Sequence, residues 1–138
     1  MHLLEDVSMR PIHSLSRIGA CLAIALAVGG ANLPRAMNGP GAWEVGRSAG
    51  SEGERVCLPD PAMLMQWEHR ARQCTRVIVS SSVDHAVVQY TCSGGGFGTS
   101  RVEILTPRSV KVATQGIADG GPFGYVVYAR RVGNCAAR

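Results

Sequence analysis

Ser82, Asp84 and His85 lie almost side by side and have the side-chain types of a nucleophilic relay. A relay needs hydroxyl, imidazole and carboxylate brought together beside an oxyanion hole. Neighbours in a polar turn point outward instead, so these three read as a turn. His69 and His85 are the only histidines beyond the amino-terminal segment, and there is no Cys-x-x-Cys. That is a poor metal or redox set. Gly94-Gly-Gly-Phe-Gly98 follows an apolar run, but no Lys-Ser/Thr comes after it. It reads as a flexible link and not as a phosphate cradle. Glu44 and Glu103 are the carboxylates whose meeting in one pocket would point to acid–base chemistry. Arg76, Arg101, Arg130 and Arg131 form a candidate anion patch if their strands are neighbours; the bland reading is a solvated sheet face. The expectation is no cofactor, no metal and no enzyme activity.

The cysteines carry more information. Of five, Cys21 lies in an apolar amino-terminal run, which leaves Cys57, Cys74, Cys92 and Cys135. An even set in an exported chain points to two disulfides and an oxidising compartment. Cys74 and Cys92 bracket two β-rich runs, Val77-Ile-Val79 and Val87-Val88, around a polar middle. A hairpin turning near Val83 sets Cys74 opposite Cys92, Thr75 opposite Thr91, Arg76 opposite Tyr90, Ile78 opposite Val88 and Val79 opposite Val87. Opposed Cβ atoms lie ~4.5–5.5 Å apart, near disulfide distance. A bulge would slip this register, and a local Cys57–Cys74 loop is the alternative. If Cys74 takes Cys92, Cys57 and Cys135 remain for each other.

Residues 1–31 read as an export signal. Arg10 and Arg17 precede the apolar run Ile18–Val28, and Gly29-Gly-Ala31 offers small residues for cleavage. The run is about eleven residues, short of the roughly 20 that span a bilayer. No transmembrane span is expected once the signal is gone. Met9 is a second plausible start, cleavage fits after Ala27, Ala31 or Ala36, and Cys21 comes too early in the run for a lipid anchor. The destination is the periplasm or the exterior. From Asn32 onward there are twelve Arg/Lys and eight Asp/Glu, without a basic run beyond Arg130-Arg131. That spread is no nucleic-acid footprint.

The rest reads as one domain, residues 41–135, after a flexible leader, 32–40, and before a tail, 136–138. Gly41–Val45 and Glu54–Leu58 form a first hairpin, with Trp43 and Val45 on one face. Asp60 and Pro61 open a helix over Ala62–Arg72, with Leu64, Trp67, Glu68 and Ala71 on one side and Gln66 on the other. Trp67 is its expected core anchor. Thr99–Thr106, Ser109–Gln115 and Tyr125–Arg131 alternate as strands, with Gly116–Gly124 as a longer loop. The fold class is therefore mainly β: an antiparallel meander of about seven strands, a curved sheet or small barrel, with one short helix and disulfide staples.

Gly41-Ala-Trp-Glu44, Cys57-Leu-Pro59, the flanking Cys74 and Cys92, and Arg131-Val-Gly-Asn-Cys135 occur in an order that resembles domain-of-unknown-function family 3617. This is a family of small exported bacterial proteins, and the resemblance covers roughly residues 39–135. It implies export and a cysteine-stapled β fold; the family has no assigned activity. Members often carry a Met/Thr-rich hairpin before the last strand, where this chain has Val110-Lys-Val-Ala-Thr114. The functional expectation is a non-catalytic binding or envelope-associated module, with an envelope protein or a small apolar ligand as its candidate partner. Alternatives are an inhibitor of an envelope-directed hydrolase, using Gly94–Gly98 or Gly116–Gly124 as an inserting loop, and a carrier of a small apolar ligand between Trp43 and Trp67.

Overall fold

The computed structural model describes residues 31–136. Seven antiparallel strands make one sheet. They are β1 (Gly41–Gly46), β2 (Glu54–Leu58), β3 (Cys74–Ser81), β4 (His85–Cys92), β5 (Phe97–Thr106), β6 (Ser109–Ala118) and β7 (Gly121–Gly133). Their order is β2-β1-β7-β6-β5-β4-β3. Strands β3 to β7 run as a meander. The β1–β2 hairpin joins it through β1 on β7, so β2 and β3 are the two edges and the sheet is not closed. The proposed export signal and the Cys21 question lie outside the described residues.

Alternation builds the inner face. Trp43, Val45, Val88, Val102, Val110, Val112, Val127 and Ala129 are all buried there. The residues between them, such as Glu44, Arg101, Lys111 and Arg130, face the other side of the pleat.

The chain crosses the inner face between β2 and β3. The expected helix is instead a 3₁₀ segment, Pro61–His69, broken at Gln66 (φ −131°, ψ 37°). Its start is as expected: the Asp60 carboxylate accepts from the Ala62 amide at 2.9 Å, and Pro61 follows. The break changes which residues are covered. Leu64, Met65, Gln66 and His69 are buried, while Trp67 is only half-buried beneath Arg70. Gln66 turns inward because the segment's end leaves carbonyls without helical partners. Its amide donates to the carbonyls of His69 and Arg72 and accepts from Arg76 at 2.6 Å.

The sheet answers the other exposed backbone groups. Ser100 donates to the Met65 carbonyl and lies 2.8 Å from the Thr114 hydroxyl. The Glu68 amide donates to the Tyr125 oxygen at 2.7 Å. The Tyr90 hydroxyl meets His69 Nδ1 at 3.2 Å.

Both expected disulfides are present, Cys74–Cys92 and Cys57–Cys135. The β3–β4 register matches the expectation from Cys74 to Ile78. A bulge at Val79 then slips it, so Val87 faces Ser80 and not Val79. The expected loop Gly116–Gly124 is a hairpin instead: β6 runs to Ala118 and β7 starts at Gly121. Asp119 and Gly120, both at positive φ, make the two-residue turn. The stretch expected as a loose leader packs on the domain. Met37 is buried in the core, and Arg131 donates to the carbonyls of Asn38, Gly39 and Pro40 while lying over the Trp43 ring.

Ser100→Ala should cost ~1–3 kcal/mol in urea unfolding, the range for a buried carbonyl left unpaired. A loss no larger than that of the exposed Thr75→Ala would refute this account of the crossing. Removing the Cys57–Cys135 bond should cost about 4.5 kcal/mol, and Cys74–Cys92 about 3 kcal/mol, in the chain-entropy model. Cys74→Ser and Cys92→Ser should be equal, and the double variant no worse than either.

Candidate functional site

The turn after β3 does gather Ser82, Asp84 and His85. Ser82 Oγ donates to Asp84 at 2.5 Å and lies 2.8 Å from His85 Nδ1. Asp84 lies 2.8 Å from the same ring nitrogen. A relay sets the acid and the nucleophile on opposite imidazole nitrogens. Here both sit on Nδ1, and the Ser82 oxygen also accepts from the amides of Asp84 and His85. The trio is therefore a hydrogen-bonded turn. The Ser82 hydrogen bond, and then that of His85, hold the Asp84 carboxyl below its usual range.

His69 lies apart from His85, buried at the end of the crossing segment, with Nε2 unpaired among the described residues. Burial pushes the neighbouring Tyr90 phenol far up, and the Tyr125 phenol up as well. Gly94, Gly95 and Gly96 all have positive φ and form a compact turn in which the Cys92 amide donates to Gly96. Gly96 passes so close to His69 that a Cβ there would meet Nε2 at 2.5 Å. The stretch expected as a flexible link is thus a tight turn that touches His69 at Gly96, with Phe97 and Gly98 already in β5. Among the described residues no three His, Cys, Asp or Glu side chains gather as a metal would require.

The four arginines do not share a face, which corrects the anion patch. Arg76 and Arg131 lie on the inner side, Arg101 and Arg130 on the outer, as the pairs Arg76–Tyr90, Trp43–Arg131, Arg101–Ala113 and Glu44–Arg130 require. Arg76 bonds Asp60 at 2.6 Å, Arg101 bonds Glu103 at 3.1 Å and Arg130 bonds Glu44 at 3.2 Å. Arg131 serves the carbonyls already named. Glu44 lines a cleft that Glu103 does not share, since Glu103 pairs with Arg101 and Lys111. Trp43 is wholly buried and Trp67 half-buried. The long loop on which an inhibitory role would lean is a two-residue turn.

The sheet also has an open edge at β3. Among the described residues β3 has a neighbour on one side only. The Ser93 amide donates to Gln73, which fixes the phase of the β3–β4 ladder. Alternate residues of an antiparallel strand bond to one side, so Cys74, Arg76 and Ile78 aim N–H and C=O groups at the open side. Val77, between Arg76 and Ile78, and Val79, at the bulge, are 59% and 56% exposed. β-Branched residues on an edge without lysine or proline were the available signal.

No protein-family model matches this chain, and no match was found among curated proteins or solved structures.

Asp84 should titrate below the ordinary aspartate value of ~3.9 when followed by NMR. Its folded pKa lies below its unfolded one. The stabilisation is therefore complete above the unfolded value and is lost as pH falls through the folded one. Ser82→Ala should move the titration upward; an Asp84 that titrates normally in the unaltered protein would rule out the turn network in solution.

Proposed function

We infer that this protein is an exported, non-catalytic binding module that receives an extended segment of an envelope protein as an added strand along β3. The open edge is the observation that carries this reading. Strand addition draws affinity from backbone hydrogen bonds and specificity from alternate side chains. β3 supplies outward groups at Cys74, Arg76 and Ile78, and exposed Val77 and Val79 on the outer face. A complementary strand would bring β-branched or apolar residues at alternate positions. The Cys74–Cys92 bond closes one end of the β3–β4 hairpin and the Ser82–Asp84–His85 network the other. An edge held at both ends loses little entropy on binding.

Two disulfides fit an oxidising environment, and among the described residues no helix is long and apolar enough to cross a membrane. The amino-terminal sequence and the resemblance to domain-of-unknown-function family 3617 support a periplasmic or secreted site. The relay-like trio, with both partners on one ring nitrogen, supports the non-catalytic part.

Peptides selected from a displayed random library should protect the Arg76 and Ile78 amides from hydrogen exchange. Val77→Lys, an edge-blocking charge at an exposed position, should weaken them about tenfold or more, ~1.4 kcal/mol per decade. Binders that protect other amides, or tolerate Val77→Lys, would overturn the reading. So would a sedimentation result showing a stable dimer joined through β3, because the edge would then serve a second copy.

A further inference from the structure

On the outer face, where β1 meets β7, lies a cleft of about 220 Å³. Glu44, Arg130, Tyr128, Ser109 and Leu105 line it, and the Ser48–Ser51 loop closes one side. Leu105 is the extra residue of a bulge between Ile104 and Thr106 and is half-exposed at the rim. Bulges re-aim side chains in this way beside binding sites.

The charges of the cleft are incompletely matched. The Glu44 side chain is only 13% exposed, yet its two partners are loosely held. Arg55 is 3.4 Å from one oxygen and Arg130 is 3.2 Å from the other. Charge-assisted bonds of this kind settle nearer ~2.7–2.9 Å. Both arginine side chains are mostly exposed, at 75% and 64%. A shielded carboxylate thus lies beside a guanidinium with donors to spare, next to an apolar rim. The volume is below the ~300–1,000 Å³ of sites for drug-sized molecules.

We propose that this cleft binds a free α-amino acid with an apolar side chain: its ammonium on Glu44, its carboxylate on Arg130, its side chain against Leu105 and Tyr128. An α-amino acid carries both charges on one carbon, which suits an acid and a guanidinium 3.2 Å apart. The site is remote from the β3 edge, and its test is independent of that reading.

The test is an amide-resolved NMR titration of the disulfide-intact protein with leucine, N-acetylleucine and leucinamide. Leucine should give saturable shifts at Ser48–Ser51, Leu105 and Tyr128. Each blocked analogue lacks one charge and should bind about tenfold or more weakly. Arg130→Gln should lose leucine by a similar factor, whereas Arg55→Gln should bind it as well or better, since Arg55 does not line the cleft and its loss leaves the Glu44 charge less neutralised. No saturable shift with leucine, equal response to all three compounds, or loss of binding in Arg55→Gln would each overturn the proposal. The analogue comparison uses the unaltered protein and does not depend on the variants folding.

Discussion

The structure depends on covering an open sheet with a layer of irregular backbone. Consecutive strands β2 and β3 lie at opposite edges, so the chain between them must traverse every other strand. That segment is the roof of the core. A broken 3₁₀ segment satisfies few of its own polar groups, and a buried unpaired amide or carbonyl is expensive. The sheet therefore contributes polar groups where an all-apolar face would have been simpler. Arg76 on β3, Tyr90 on β4, Ser100 on β5, Thr114 on β6 and Tyr125 on β7 all take part in this network, directly or through one another. Core position and polar chemistry are thus chosen together on five strands.

The rest of the covalent and ionic framework manages the two edges. Cys57–Cys135 ties β2 to the end of the chain, and Cys74–Cys92 closes the β3 side. Small domains bury a modest share of their surface and often need such staples. Arg131 does similar work without a covalent bond. It stacks on Trp43 and gathers three carbonyls of residues 38–40, so the approach to β1 is held from β7.

Strands and cysteine pairing were legible in the sequence because period-two alternation and cross-strand distance are local rules. Val102, Val110, Val112 and Thr114 lie inward as that alternation requires. The Asp60–Pro61 start was legible for the same reason, since a cap needs only its neighbours. Features set by distant partners were not. Gln66 looks solvent-facing on a helical wheel, yet it is pulled inward by carbonyls and by Arg76. Val79 becomes a bulge within a run that reads as regular strand. The four arginines looked alike in sequence, and strand parity splits them between the two faces. The Gly116–Gly124 stretch looked like a loop by its glycines, but Asp119-Gly120 needs only two residues to turn. The Leu105 rim and the β3 edge had weak signals, because an exposed valine or leucine is ordinary until its neighbours are known.

The pairing of β1 with β7 also governs how the chain reaches this state. Glu44 and Arg130, bridged across that pair, are 86 residues apart in sequence. The β3–β7 meander can assemble from neighbours as each strand emerges. The β1–β2 hairpin has nowhere to dock until β7 exists. Such late, long-range closure raises contact order and slows folding. A chain with this arrangement stays open longer at its amino-terminal side, until its last strand locks the sheet.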